Sequence, residues 1–226
     1  MEFVLPPAAV PSVAVAGSKA RFAVRRIFCV GRNYAEHARE MGHDPNAEPP
    51  FFFTKPADAV VDSGMLIPYP FATADLHHEA ELVVALGAAG SFVPEDQALA
   101  LIWGYAAGND LTRRDLQAEA KAARRPWDMA KGFDNSAVVG ALRPAAQGVP
   151  AGQIRCLVDG KVTQNANLAE MIWPVSGIIV HLSRLVALQP GDLIFTGTPA
   201  GVGPIARGQT CEVQIDGLEP ARVGLL

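Results

Sequence analysis

Apolar residues in this chain come in short runs, some alternating with polar positions and some continuous, and Gly, Pro, Asn or Asp punctuates them at close intervals. Alternation in 12–15 and 21–24 predicts a short β region within the Pro-punctuated stretch 1–24, a small N-terminal appendage to one larger domain spanning 25–226. The continuous runs 27–30 and 51–54 read as buried strands, and 65–68 as a short extended segment. Residues 79–86 form a strand closed by Gly87, and 102–107 a strand leading into Gly108-Asn109-Asp110. The pairs 154–158/161–164 and 210–215/221–225 flank Asp159-Gly160 and Asp216-Gly217, both hairpin signatures; 193–196 is a further strand. Helical spacing is confined to four places: 33–42, with Asn33 able to cap and Gly42 to terminate; 94–101; 112–125, with a capping box Thr112-x-x-Asp115; and 175–188, ended by Pro190-Gly191. Many short, hairpin-linked strands and few helices predict an α+β, mostly β, mixed or antiparallel architecture rather than a doubly wound parallel sheet.

Composition narrows the function classes. Half of the 226 residues are hydrophobic, ample for a core, and the net charge of −4 gives no electrostatic footprint for nucleic acid. Basic residues do cluster, at Arg21, Arg25 and Arg26 and at Arg113, Arg114, Arg124 and Arg125; a solvated face is the expectation for most of them. Cys29, Cys156 and Cys211 are odd in number, widely spaced and without a C-x-x-C pair, which predicts buried, reduced thiols; a Cys29 nucleophile is the alternative. The apolar N-terminus is broken by Pro6, Pro7 and Pro11, and no apolar stretch is long enough to cross a bilayer, so a cytoplasmic protein with no membrane partner is expected.

The candidate chemistry begins with Glu79 and Glu81. Side chains two apart on a strand share a face, and two carboxylates a single pleat apart repel unless a cation lies between them. Oxygen ligation favours magnesium, manganese or calcium. His77 would share that face as a neighbour, and His78 would point away. Spacing leaves two readings of Asp110, a third ligand at a strand-to-helix junction or an ordinary loop aspartate, while Gln117 lies within reach of that junction. His37 and Glu40 are three apart in a predicted helix; they read equally as a general-base dyad or as a surface pair. Lys131, in PWDMAKGFDNS, is able to steady an enolate or carboxylate beside a metal, or else forms a surface salt bridge. The Gly-rich run 196–204 lacks the pattern of a phosphate loop or a dinucleotide fingerprint; it reads as a tight loop bringing its backbone and Thr198 to a small ligand, or as a plain turn.

Six segments occurring in order, GRNYAEHAREMG, KPAD, HHEAEL, GYAAGNDLTRRDLQ, PWDMAKGFD and FTGTPAGVGP, together resemble the fumarylacetoacetate hydrolase family over most of the chain. The resemblance implies a mixed β-sandwich roll with few helices, a homodimer, and one Mg²⁺ or Mn²⁺ per chain held by Glu79, Glu81 and Asp110. It also implies a His37–Glu40 catalytic dyad on a lid, catalytic Lys131, and substrate contacts from Gln117 and Thr198. The stretch MGHDPNAEPPFFFTKPADAV looks most like family members that hydrolyse fumarylpyruvate in gentisate degradation. The implied substrate is a small 2-oxo acid, and the implied reaction is hydrolytic C–C cleavage of a 2,4-dioxo acid. Oxaloacetate decarboxylation or tautomerisation is the alternative within the family, and a non-catalytic oxo-acid-binding protein the alternative outside enzymes. Fumarylpyruvate carries a distal carboxylate that calls for a cation, and Arg32 is the candidate.

Overall fold

The computed structural model describes residues 3–36 and 49–226. Strands hold about twice as many of these residues as helices do, and the architecture is the expected mixed, mostly β roll. An eight-stranded curled sheet forms the centre. From one edge its order is Phe51–Lys55, Arg26–Gly31, Asp192–Phe195, Ala80–Leu86, Ile102–Asp110, Ala137–Val139 and Val60–Asp62, with Arg143–Pro144 paired beside the Ile102–Asp110 strand. Two pairings are parallel, between Asp192–Phe195 and Arg26–Gly31 and between Ala137–Val139 and Val60–Asp62; the rest are antiparallel. A five-stranded sheet, built mainly from the two Asp-Gly hairpins, packs against it. The turn at Asp159-Gly160 has φ +48° and +78°, the left-handed pair that such a two-residue turn requires.

The Ala80–Leu86 strand shows why the sheet is central. Ala80, Leu82, Val84 and Leu86 enter one core cluster, shared with the five-stranded sheet and the helix Val175–Leu185. Val83 and Ala85 enter a second cluster with Ile27, Cys29, Leu193 and Phe195. Alternation holds, yet both faces are buried. The N-terminal hairpin Ser12–Ala14/Arg21–Ala23 inserts Val13 into this second cluster. All three cysteines are free and buried, as expected of reduced thiols.

Several local expectations are corrected. Thr112 does not cap a helix: Thr112–Arg113 continues as strand, and the helix runs Arg114–Ala122. The Thr112 hydroxyl donates to the Asp110 carbonyl, and Asp115 accepts instead from Thr73 and from the Ala74 amide. The segment 94–101 divides into one α turn, Glu95–Ala98, and a 3-10 turn, Leu99–Leu101. Helix 175–188 ends at Leu185, because Leu188 is drawn into a bridge with Gly90. Strand Ile102–Asp110 runs three residues past its expected end, so Asp110 is a strand residue held opposite Ala137.

Candidate active site

Glu79, Glu81 and Asp110 meet where the Ala80–Leu86 and Ile102–Asp110 strands lie side by side. Glu81 is in register with Gly108 and Ala80 with Asn109. Glu79 sits in the break between Leu76–His78 and Ala80–Leu86; its amide donates to the Asn109 side chain, and its carbonyl accepts from the Asp110 amide. One carboxylate oxygen from each acid lies within 4.8 Å of the others, and all three residues are buried.

Such a cluster is costly without positive charge. Burial, then the Asp110 and Glu79 carboxylates, push the Glu81 carboxyl well above its ordinary range. The Gly197 amide, 2.7 Å from Glu81 Oε2, opposes this. Gly197 has φ +95°, and a Cβ there would lie 2.7 Å from Asn33 Cβ, so the backbone approach needs glycine. Three cations close the cluster. Lys131 Nζ donates to Glu79 Oε2 at 2.7 Å and to Asp110 Oδ2 at 2.8 Å. Arg114 Nη2 donates to Glu79 Oε1 at 2.6 Å. Lys55 Nζ lies 2.8 Å from Asp110 Oδ1, off the direction of a hydrogen bond, so that oxygen is charge-paired yet accepts no hydrogen bond. Burial lowers the Lys131 ammonium, but Asp110 and then Glu79 outweigh it and hold the group above its ordinary value.

The donor set fits a divalent cation. It is all oxygen, its members converge, one buried lone pair accepts no hydrogen bond, and the acid with the most strained charge, Glu81, is the one no lysine or arginine directly pairs among the described residues. His77 is a neighbour and no ligand: it bonds Asp75 through Nε2 at 2.9 Å and accepts from Arg114 Nε at 3.4 Å. His78 points away and is fully buried against Gln164.

A cleft opens above the acids, lined by Arg32, Phe51, Phe53, Arg114, Gln117, Lys121, Trp127, Lys131 and Thr198. The structure therefore brings Lys131, Gln117, Thr198 and Arg32 to the acidic cluster. Gln117 Oε1 accepts from Arg114 Nη1 at 2.6 Å, and Thr198 Oγ1 accepts from Gln164 Nε2 at 2.8 Å, which leaves the Gln117 amide and the Thr198 hydroxyl as donors toward a ligand. His37 and Glu40 lie outside the described residues.

The sequence pattern does not single out Lys55, Arg114 or Lys121 as site residues. Arg114, expected on a solvated basic face, instead spans Glu79, His77 and Gln117. Arg25 and Arg26 likewise pair with the buried Asp192. The signal that was available is helical: 114, 117 and 121 are spaced i, i+3, i+7, one face of one helix.

The family model described as "Fumarylacetoacetate (FAA) hydrolase C-terminal" matches residues 26–225. The chain belongs to the fumarylacetoacetate hydrolase family. Fumarylpyruvate hydrolase of Ralstonia sp is 45% identical over 177 residues, 77% of this chain and 92% of that protein. An oxaloacetate tautomerase of Escherichia coli (strain K12) is 38% identical over 204 residues, 89% of this chain and 93% of that protein. The crystal structure of fumarylpyruvate hydrolase from Pseudomonas aeruginosa, in complex with Mn²⁺ and pyruvate, superposes with a TM-score of 0.96 at 48% identity, covering 100% of this chain and 99% of that one. No helix among the described residues is long and apolar enough to cross a membrane.

Proposed function

We propose that this member of the family is a hydrolase that cleaves the C3–C4 bond of an acylpyruvate, with fumarylpyruvate as substrate and fumarate and pyruvate as products. The observation that carries the reading is the buried Glu79, Glu81 and Asp110 cluster bridged by Lys131 at the floor of a cleft walled by cations and aromatic rings. The relatives named for fumarylpyruvate support the choice of acyl group. Mg²⁺ or Mn²⁺ is the cation that Glu79, Glu81 and Asp110 would hold; when bound it supplies Lewis-acid polarisation to the 2-oxo acid.

The chain's own groups do the rest. His37, its imidazole oriented by Glu40, takes a proton from water, and the water oxygen bonds to the C4 carbonyl carbon. Cleavage of C3–C4 sends its electron pair into a pyruvate enolate, whose charge the Lys131 ammonium steadies. The proton held by His37 then returns to C3. Arg114 fixes the Glu79 carboxylate on one side and the Gln117 amide on the other, so that Gln117 and Thr198 present their donors in fixed directions. A cytoplasmic homodimer serving gentisate breakdown belongs to the same reading and rests on the family resemblance.

A second reading, oxaloacetate tautomerisation or decarboxylation, draws support from the 38% identical tautomerase. Initial rates on fumarylpyruvate, acetylpyruvate and oxaloacetate, each with added Mn²⁺ or Mg²⁺, separate the two. The proposal expects fumarate and pyruvate in equal amounts from the first substrate. Turnover of oxaloacetate without cleavage of either acylpyruvate would replace it with the second reading. His37→Ala is expected to lose nearly all hydrolysis while Mn²⁺ binding persists, and a fully active variant refutes the dyad.

A further inference from the structure

The cleft carries more positive charge than its acidic floor requires. Arg114 and Lys131 are committed to Glu79 and Asp110, whereas Lys121 has no carboxylate partner among the described residues. Its Nζ sits 5.1 Å above the Trp127 ring, half-buried at the cleft wall. Trp127 in turn packs edge-on against Phe51 and Phe53, with centroids 5.4 and 6.0 Å away. Each of these rings has its own cation: Arg32 over Phe51 at 5.2 Å, Lys131 over Phe53 at 5.0 Å and Lys121 over Trp127. Arg32 holds φ +60°, a left-handed conformation uncommon for a non-glycine residue, and an ideal Cβ on Gly31 would fall 2.0 Å from the Phe51 ring, so this wall is tightly set.

We propose that Lys121, backed by Arg32 and the Phe51, Phe53 and Trp127 rings, forms a subsite for the distal carboxylate of an extended 2-oxo dicarboxylate. The inference rests on the reading of the cleft floor as the 2-oxo acid site. Helix geometry sets the length of that ligand. Arg114 reaches the acidic floor, and Lys121 is seven residues farther along the same face, about 10 Å at the α-helical rise. A seven-carbon extended chain measures roughly 7–8 Å between its end carbons at ordinary bond lengths. An ionic contact adds about 3 Å. Fumarylpyruvate therefore spans from floor to Lys121, while four-carbon oxaloacetate covers about half the distance. The rings offer flat faces to the conjugated segment between. Burial, then Arg114, lowers the Lys121 ammonium; the Glu79 carboxylate opposes this, and Arg32 and Lys131 add to it.

The test separates the subsite from the reaction. Binding of 2-oxoheptanedioate and 2-oxoheptanoate to Mn²⁺-loaded protein is measured by calorimetry; neither has a 4-oxo group to hydrolyse, and only the first has a distal carboxylate. The full-length protein should prefer the dioate by about tenfold to a hundredfold, the worth of one charge-assisted hydrogen bond. Lys121→Met should bring that ratio toward one, and Lys121→Arg should restore most of it. In turnover, Lys121→Met should raise KM for fumarylpyruvate at least tenfold more than for acetylpyruvate. No preference in the unmodified protein, or a preference that survives in Lys121→Met, overturns the subsite. So does an equal loss on both acylpyruvates. If no acylpyruvate is cleaved but the dioate preference exists and Lys121→Met abolishes it, the subsite stands and the proposed reaction falls.

Discussion

Lys55→Met probes the charge balance beneath the cleft. Three carboxylates, Glu79, Glu81 and Asp110, face three cations, Lys55, Lys131 and Arg114. Lys55 is wholly buried, 2.8 Å from Asp110 Oδ1, and donates to the carbonyls of Leu111 and Lys131. Methionine matches its length and removes the charge. The Lys131 carbonyl keeps Ser136 as a donor, but the Leu111 carbonyl loses Lys55 and Asp110 keeps only Lys131. Breaking a buried ion pair from one side costs about 3–5 kcal/mol. The lower end applies here, because Lys131 still neutralises the acid. With a urea slope of about 2–3 kcal/mol/M for a chain of this size, the midpoint in EDTA should fall by about 1–1.5 M. The sign reverses for metal. The variant site is one unit more negative, so Mn²⁺ should bind at least about tenfold tighter, well below the roughly 4 kcal/mol of two unit charges 4 Å apart at an effective dielectric of 20. Urea titrations in EDTA and in saturating Mn²⁺, with calorimetry of Mn²⁺ binding, read both effects. A loss under about 1 kcal/mol in EDTA refutes the assignment of Lys55 as the counter-charge of Asp110. An Mn²⁺ affinity that stays the same or weakens refutes it equally.

Two further substitutions address the floor and the wall. Glu81→Gln keeps an acceptor for the Gly197 amide and deletes a charge that burial already disfavours; it should leave the thermal midpoint in EDTA within a few degrees while removing the rise that Mn²⁺ produces by mass action, and an undiminished rise would exclude Glu81 as a ligand. Gly31→Val drives a side chain into the Phe51 ring; it should cost about 1–3 kcal/mol as overpacking and raise KM for fumarylpyruvate more than it lowers kcat, whereas an unchanged KM would detach that ring from the substrate wall.

Much of this is legible in the sequence. The strand expected over 79–86 is observed as Ala80–Leu86, with Glu79 in the break before it, and the Asp-Gly pairs located both hairpins, because those signals are local. Glu79 and Glu81 followed from the pleat. Asp110 did not: spacing alone allowed an ordinary aspartate, and its position depends on pairing with Ala137, twenty-seven residues away. Thr112 carried a valid capping pattern that tertiary structure overrode, since its hydroxyl serves the Asp110 carbonyl and its backbone pairs with His77. Lys55 lies in an edge strand and meets Asp110 only through the folding of the sheet, so no local rule announces it. Lys121 had helical periodicity with Gln117 in its favour, but a lysine in a basic helix is ordinarily solvated.

The two kinds of backbone in this cleft bear on how its selectivity can evolve. Glu81 and Asp110 ride on interior strands packed on both faces, where a substitution disturbs two cores at once. Lys121 and the outer half of the Arg114–Ala122 helix touch neither core cluster. Substitutions there are expected to reshape the cleft wall at little expense in folding, whereas substitutions at Glu81 or Asp110 strike strands packed on both faces. On the proposed reading, a change of acyl preference would be reached through substitutions along this one helix, apart from the strands that carry the fold.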